Sequence, residues 1–159
     1  MQLEFSHDDS YLLAVSRDLG LSVIGRQGAE WKVIAKVAKA HSRIIWTCSW
    51  APDDKFFATG SRDGTVRFFL LLYSFLVLTP TVVQLRIWQF VREGESQGSC
   101  KVAQEFSLKV PVTAVAWAPV RSCYLLAVGL ESGSIQFYTS PITQDGTINL
   151  TLQTTIPLE

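Results

Sequence analysis

Three side chains in this 159-residue chain are of the types that make up a serine hydrolase triad. His41 and Ser42 are adjacent, and Asp63 follows further along the chain. A triad needs the serine and the histidine to converge on one reacting atom. Neighbouring residues on a strand point to opposite faces, so His41 and Ser42 cannot converge there. A structural hydrogen-bond network around His41 is therefore the preferred interpretation.

Two other groups have a possible chemistry and a simpler structural explanation. Residues 60–65, Gly-Ser-Arg-Asp-Gly-Thr, are similar to a phosphate-binding loop but lack its lysine and the helix that should follow. They predict a tight turn between strands. Asp53 and Asp54 could act as paired acids, but Asp8 and Asp9 repeat them, as a polar turn would. We predict no catalytic residues, no metal site, no cofactor and no enzymatic activity.

The composition narrows the class of protein. Fourteen basic and fourteen acidic residues give a formal net charge of 0, so no overall attraction to nucleic acid or anionic membrane is expected. The three cysteines form no CxxC pair, which argues against a zinc site or a disulfide framework. Cys48 and Cys123 are predicted to be inert core thiols. The first residues lack the features of a signal peptide, and an intracellular protein is expected.

The chain repeats one motif three times. Residues 5–18 align without a gap with residues 50–63, at a constant offset of 45. A third copy begins at Trp117, at an offset of 67 from Trp50. Removing the segment 67–85 shortens that offset to 48, so a single insert accounts for the irregular period.

Each copy contains short apolar segments separated by turn-forming residues. Residues 112–117 alternate with a period of two, as strands do. Compact apolar runs predict strands buried on both faces at 11–15, 56–59 and 124–128. A fourth strand per copy is predicted at 31–37, 101–108 and 148–153. Four strands in about 45 residues is the size of a propeller blade.

These residues resemble WD40 repeats, and more closely the second propeller of the Elongator complex protein 2 family. The resemblance rests on residues 41–50, His-Ser-Arg-Ile-Ile-Trp-Thr-Cys-Ser-Trp, and on 57–63, 112–117 and 127–133. It covers nearly the whole chain apart from the insert. Members of the family are far longer and contain two seven-bladed propellers. The resemblance implies an all-β, partial WD40 β-propeller of about three four-stranded blades, with an apolar insert in the middle blade.

The predicted units are residues 1–40, 41–108 and 109–159. The first is expected to be incomplete at its N-terminal side and the third at its C-terminal side. Insert 67–85 interrupts the middle unit. In WD40 blades a polar relay joins a histidine, a turn aspartate, a serine or threonine and a tryptophan. The resemblance implies that His41, Asp63, Thr59 and Trp88 fill these positions.

The resemblance also implies a function. It suggests a non-catalytic scaffold subunit of the Elongator complex, which supports tRNA wobble-uridine modification through protein–protein interactions. The implied partners are the large scaffold subunit and the catalytic acetyltransferase-like subunit, with indirect contact to tRNA and no membrane partner. The implied location is cytoplasmic and nuclear. The alternative is a WD40 adaptor of another intracellular complex, in signalling or ubiquitin transfer.

Five basic residues are expected to lie on one rim of the blades and could contact an acidic partner or an RNA backbone: Arg17, Lys36, Lys39, Arg43 and Arg62. The alternative is a solvated rim with no partner. Trp31 and Trp46 are predicted to be packing residues rather than base-stacking platforms.

Residues 68–85 form an uninterrupted segment without a charge. They could be a short membrane span, a loop insertion or retained intron sequence. A membrane span would separate the third strand of the blade from its partners. The preferred hypothesis is a retained intron, because deleting residues 67–85 joins Thr65-Val66 to Arg86-Ile87-Trp88 as an uninterrupted strand.

Overall fold

The structure, a computed structural model, describes residues 2–62, 83–94, 97–143 and 145–157. In these ranges the chain forms β-strands and turns and no helix. Twelve strands are described: β1 Gln2–Phe5, β2 Tyr11–Val15, β3 Leu21–Gln27, β4 Glu30–Val37, β5 Ile45–Trp50, β6 Phe56–Ser61, β7 Val83–Arg92, β8 Gly98–Leu108, β9 Val112–Trp117, β10 Cys123–Leu130, β11 Ile135–Pro141 and β12 Thr151–Ile156.

The strands form three four-stranded sheets, each a meander of consecutive strands. We call them the first sheet (β1–β4), the middle sheet (β5–β8) and the third sheet (β9–β12). Every pairing between neighbouring strands is antiparallel. The predicted all-β fold is confirmed. The unit boundaries stay a prediction, since the limits of a sheet do not define where a repeat begins.

The middle sheet is buried on both faces, and this burial stabilises the stack. All six residues of β6 are buried. Phe57 and Trp88 face the first sheet with Trp50, whereas Phe56 and Ile87 belong to the cluster shared with the third sheet. We call the contact of the first and middle sheets the first seam and that of the middle and third sheets the second seam. Burial of apolar area contributes roughly 25 cal/mol per Å², so these two seams contain most of the hydrophobic stabilisation.

The third strand of the middle sheet is intact despite the insert. Its first residues, Val83 to Leu85, come from the end of the uncharged segment. Leu85 is fully buried and pairs with Gly60 of β6. The predictions for residues 67–82 lie outside the described residues. Within the described ranges, no helix is long and apolar enough to cross a membrane.

Two local predictions are wrong. Residues 148–150 are not part of a strand, although Ile148 and Leu150 are buried. The backbone N–H and carbonyl of Leu150 bond to the side-chain amide of Gln104 instead of to a neighbouring strand. Trp46 is not a core residue, because it is the extra residue of a β-bulge in β5 and its side chain is 51% exposed.

Candidate functional site

A buried polar cluster joins the start of β5 to the middle of its sheet. His41 lies before β5, Thr59 is on β6 and Trp88 is on β7. His41 Nε2 is 2.7 Å from Thr59 Oγ1, and Trp88 Nε1 donates to the same oxygen at 2.9 Å. All three residues are buried. Thr59 therefore satisfies two ring nitrogens that have no access to water.

Thr59 Oγ1 can serve both ring nitrogens at once. It accepts the Trp88 indole proton, and it either donates to His41 Nε2 or accepts from it, depending on the tautomer of the ring. Asp63, the residue predicted to bind the other ring nitrogen of His41, lies outside the described residues, so the complete relay stays a prediction. Trp88 is held by stacking on Phe57, with ring centroids 6.1 Å apart.

Arg86 is an anchor for this cluster that sequence reasoning missed. It lies on β7, and its Nη1 donates to the carbonyl oxygen of Ala40, next to His41. Its Nη2 also pairs with Glu105 on β8 at 3.0 Å. The guanidinium thus ties the segment that carries His41 to the strand that carries Trp88. Arg86 directly follows the uncharged segment in the sequence. Its position depends on β7, the strand on which it lies.

The five basic residues fall into two groups on the edge of the sheets that we call the upper rim, formed by turns 16–20, 38–44, 109–111 and 131–134. Arg17, Lys36 and Lys39 are exposed at the first sheet. Hydrogen bonds from Ser16 and Gly20, together with the nearby charge of Lys36, hold the pKa of Asp18 below its usual range. The backbone N–H of His41 donates to the carbonyl of Leu19, which joins the two turns of this group.

The second group belongs to the middle sheet, where Arg43 lies shortly before β5 and Arg62 directly follows β6. The Ser61 hydroxyl donates to the carbonyl of Arg43, so the two arginine backbones are close. The Arg62 guanidinium pairs with Glu131 of the third sheet at 2.7 Å. Arg62 therefore has an acidic partner within the chain, and its charge is partly neutralised. Whether the rim faces a partner stays a prediction.

The two predicted turn acids, Asp53 and Asp54, form hydrogen bonds with different neighbouring sheets. On the lower rim, formed by turns 6–10, 51–55 and 118–122, Asp54 accepts from the backbone N–H and the ring of His7 in the first sheet, both at 2.9 Å. Asp53 accepts a 2.6 Å hydrogen bond from the Tyr124 hydroxyl in the third sheet. Burial and this bond raise the pKa of Tyr124. One turn thus connects the middle sheet to both neighbours.

No arrangement for nucleophilic or metal chemistry is found among the described residues. Burial raises the pKa of Cys48 and of Cys100 to about 12, so both thiols stay protonated and unreactive near neutral pH. No group of three or more histidine, cysteine or acidic side chains that could hold a metal ion lies in the described ranges.

Glu4 makes the first seam sensitive to pH. Its carboxylate accepts from Ser49 Oγ at 3.1 Å and from Trp50 N at 3.3 Å, across the seam. Burial raises the pKa of Glu4 above its usual 4.5, although these two hydrogen bonds and the charge of His7 act in the opposite direction. Folding therefore favours the protonated acid. Stability should fall as pH rises from 4.5 through the raised pKa.

Substituting Glu4→Gln is expected to remove this part of the pH dependence. Glutamine has the same shape but does not titrate, so the variant should gain stability relative to the parent as pH rises through that window. Urea unfolding midpoints of both proteins, measured at intervals from pH 4 to pH 7, test this. An unchanged difference between the two proteins over the whole range would show that Glu4 does not titrate in the seam.

One comparison supports the kind of repeat that these sheets form. Residues 32–69 match the WD domain, G-beta repeat family. The match covers the end of the first sheet and the start of the middle one, and four-stranded antiparallel meanders are what such repeats form. Residues 32–69 are thus similar to a WD40 repeat. The three sheets are therefore WD40 blades of a partial propeller, as the sequence predicted.

Several curated relatives of this chain share one name. Elongator complex protein 2 of Arabidopsis thaliana is 38% identical over 155 residues, which covers 91% of this chain and 16% of the relative. The proteins of that name from Mus musculus and Homo sapiens are each 34% identical, over 159 and 151 residues, and cover 87% of this chain. The chain spans 16% of the length of each of these relatives.

Within this WD40 chain the polar cluster is confined to the middle blade. The pairing register places Ala14 of the first blade and Val128 of the third at positions equivalent to Thr59. Ile24 and Tyr138 are likewise equivalent to Trp88. Neither Ala14 nor Val128 has a hydroxyl, so in the described residues the arrangement around Thr59 occurs once. The other two blades rely on packing and on contacts between sheets.

Proposed function

We propose that this chain acts as a non-catalytic WD40 scaffold in the Elongator complex. The observation that carries the proposal is its 31–38% identity to proteins named Elongator complex protein 2, over 86–91% of its length. A scaffold works by holding loops in fixed positions for other subunits to bind. The connected turns of the upper and lower rims suit that role, because they are braced from one blade to the next.

The finer part of the proposal concerns what the scaffold serves. The resemblance to the second propeller of the Elongator complex protein 2 family implies that the chain supports wobble-uridine modification of tRNA. The proposed partners are the large scaffold subunit and the catalytic acetyltransferase-like subunit. The proposed contact with tRNA is indirect, and the proposed location is cytoplasmic and nuclear.

The exposed lysines of the upper rim are the proposed contact to a partner. Lys36 and Lys39 are both exposed, and neither ammonium group forms a direct ion pair with an acidic side chain of the described residues. Arg62, in contrast, is paired with Glu131. Two exposed cations without a direct ion pair suit an acidic surface on another subunit.

Affinity purification of the tagged chain from cells tests the proposal. We expect the large scaffold subunit and the catalytic subunit to be recovered with it. The double substitution Lys36→Glu and Lys39→Glu should reduce their recovery about tenfold or more, because reversing charges at an interface adds repulsion. The matched control is Arg121→Glu, which reverses one exposed charge on the lower rim.

Two outcomes would contradict parts of this proposal. If neither Elongator subunit is recovered and a different complex is, the chain is a WD40 adaptor of that complex. If both subunits are recovered equally with the lysine variant and with the control, the Elongator assignment stands but the upper rim is not the contact.

A further inference from the structure

Two turns that connect neighbouring strands hold an arginine in the same way. Arg26 lies on β3, and its Nε donates to the carbonyl oxygen of Gly28 at 3.2 Å. Arg92 ends β7, and its Nε donates to the carbonyl oxygen of Gly94 at 2.8 Å. Both glycines have a left-handed backbone, with φ of 62° and 114°, which glycine adopts without steric cost. Each guanidinium is thus fixed to its own turn through one of its five N–H donors.

Main-chain hydrogen bonds place both turns beside the lower rim. Arg26 N donates to the carbonyl of Ser10 at 3.0 Å, and Phe90 N donates to the carbonyl of Lys55 at 2.9 Å. Ser10 and Lys55 belong to two of the turns that form the lower rim. Arg92 follows Phe90 on β7, so the two arginines extend from the same rim.

The two arginines line one cleft between neighbouring blades. The β3–β4 turn belongs to the first sheet and the β7–β8 turn to the middle sheet. Arg92 also crosses this boundary, since its Nη1 donates to the Tyr11 hydroxyl of the first sheet at 3.4 Å. The cleft has a volume of about 260 Å³ and is lined by Arg26, Gln27, Gly28 and Arg92.

The cleft is specific to the first seam. Both of its walls belong to sheets of this chain, so it is not an open end of the stack. The connection between β11 and β12, residues 142–150, contains no lysine or arginine. The second seam therefore has no equivalent pair of arginines, and the cleft is not a general feature of the repeat.

The charges around the cleft favour an anion. Of the acids that the structure describes at these turns, Glu30 pairs with Lys32 at 2.8 Å, and Glu93 accepts a 2.7 Å hydrogen bond from Ser99 Oγ. Neither glutamate lines the cleft, whereas both arginines do. Two cations that share a cleft repel each other, and an anion bound between them would replace this repulsion with two attractions.

A phosphate group suits two guanidinium groups better than a carboxylate does. A guanidinium binds phosphate through two parallel hydrogen bonds, and a phosphorylated side chain offers three oxygens and a charge of about −1.5 to −2 at pH 7. One phosphate can therefore bind both arginines at once. A nucleic-acid strand is disfavoured, because its binding uses a series of cations along the backbone and the net charge of this chain is 0.

We propose that Arg26 and Arg92 form a binding site for the phosphate group of a phosphorylated serine or threonine in a partner protein. Phosphorylation of the partner would thus control its contact with the lower rim. The site is separate from Lys36 and Lys39 of the upper rim, and it does not depend on the Elongator assignment.

Titration of the chain with a short peptide tests the proposal. The probe is a pentapeptide with phosphoserine between glycines, and the same peptide with serine or glutamate serves for comparison. The NMR signals of the Arg26 and Arg92 Nε–H groups should shift and saturate with the phosphorylated peptide and stay unchanged with the serine peptide. The glutamate peptide should bind at least about fivefold more weakly, because it has one charge and two oxygens. Equal affinities for the phosphoserine and glutamate peptides would contradict the assignment to phosphate.

Substitution of either arginine should weaken binding of the phosphorylated peptide. For Arg26→Gln and for Arg92→Gln we expect a loss of about tenfold or more, the usual effect of losing hydrogen bonds to a charged group. The matched control is Arg121→Gln, which removes an exposed positive charge elsewhere on the lower rim and should change the affinity by less than about twofold. Circular dichroism establishes which variants keep their strands. If Arg92→Gln does not fold, Arg26→Gln decides, because the Arg26 guanidinium bonds to its own turn.

Three further results would overturn the proposal. The first is an absence of saturable shifts at up to about 20 mM phosphorylated peptide, a concentration that would fill a millimolar site. The second is equal weakening by Arg26→Gln and Arg121→Gln, which would indicate a general attraction to positive charge. The third is tighter binding of an oligouridylate of about ten nucleotides, lost in Arg26→Gln, which would identify a nucleic-acid site instead.

Discussion

Replacing Trp50 by alanine is expected to destabilise the protein by about 3–5 kcal/mol, the usual loss when a buried tryptophan is truncated. Trp50 has no exposed surface and lies where the first and middle sheets meet. Its ring contacts Phe57, Phe90 and Tyr11, with centroids 5.2, 6.1 and 6.2 Å away. Its indole N–H also donates to the carbonyl of Glu4 at 3.3 Å. Truncation would therefore open a cavity and break a hydrogen bond in the first seam.

Urea unfolding followed by far-UV circular dichroism measures this loss without relying on tryptophan fluorescence. Trp31→Ala is the control, because Trp31 on β4 is also a tryptophan but is 43% exposed. Its loss should be less than half of that for Trp50. If Trp50→Ala proves too unstable to measure, Trp50→Phe should show a smaller loss in the same direction. Equal losses for Trp50→Ala and Trp31→Ala would show that the first seam is not a packed core.

Replacing Thr59 by valine is expected to cost about 2 kcal/mol, within the range for a buried polar group that loses its partner. Valine has nearly the same shape, but it removes the oxygen that binds both Trp88 Nε1 and His41 Nε2. The Trp88 N–H would then be buried with no acceptor. The hydrogen bond to His41 Nε2 is lost at the same time.

Thr59→Ser separates the role of the hydroxyl from that of the methyl group. Serine keeps the oxygen and should cost only about 1 kcal/mol for the lost methyl group. The NMR signal of the Trp88 indole proton should shift in the valine variant and stay nearly unchanged in the serine variant. A serine variant as unstable as the valine variant would indicate that packing, not hydrogen bonding, is the contribution of Thr59.

The local strand pattern could be predicted closely from the sequence. The predicted strands 11–15 and 112–117 coincide with β2 and β9. Both contain alternating or continuous apolar residues between turn formers, and these features depend on neighbours in the chain. The predicted strand 148–153 is wrong only at residues 148–150, since residues 151–153 belong to β12. Ile148 and Leu150 are apolar and buried as in a strand, but the side chain of Gln104 holds the Leu150 backbone.

The polar cluster was predictable in part. His41, Thr59 and Trp88 were identified from the resemblance to WD40 repeats, and they lie close together in the fold. Arg86 was not identified, since its contact with Ala40 joins residues 46 positions apart and has no recurring motif. The pairing of Arg62 with Glu131 was also missed. That ion pair joins residues 69 positions apart, on different sheets.

Repetition, strand order and the class of fold were thus contained in the amino-acid sequence, because spacing and turn chemistry act between residues that are close along the chain. The connections between blades were decided only in three dimensions. Asp53 and Asp54 are adjacent and chemically identical, yet one binds Tyr124, 71 positions ahead, and the other binds His7, 47 positions back. Which sheet each carboxylate reaches depends on how the sheets pack and on the left-handed backbone at Asp54, where φ is 56°. Only the packing of the blades gives these two identical side chains partners in two different sheets.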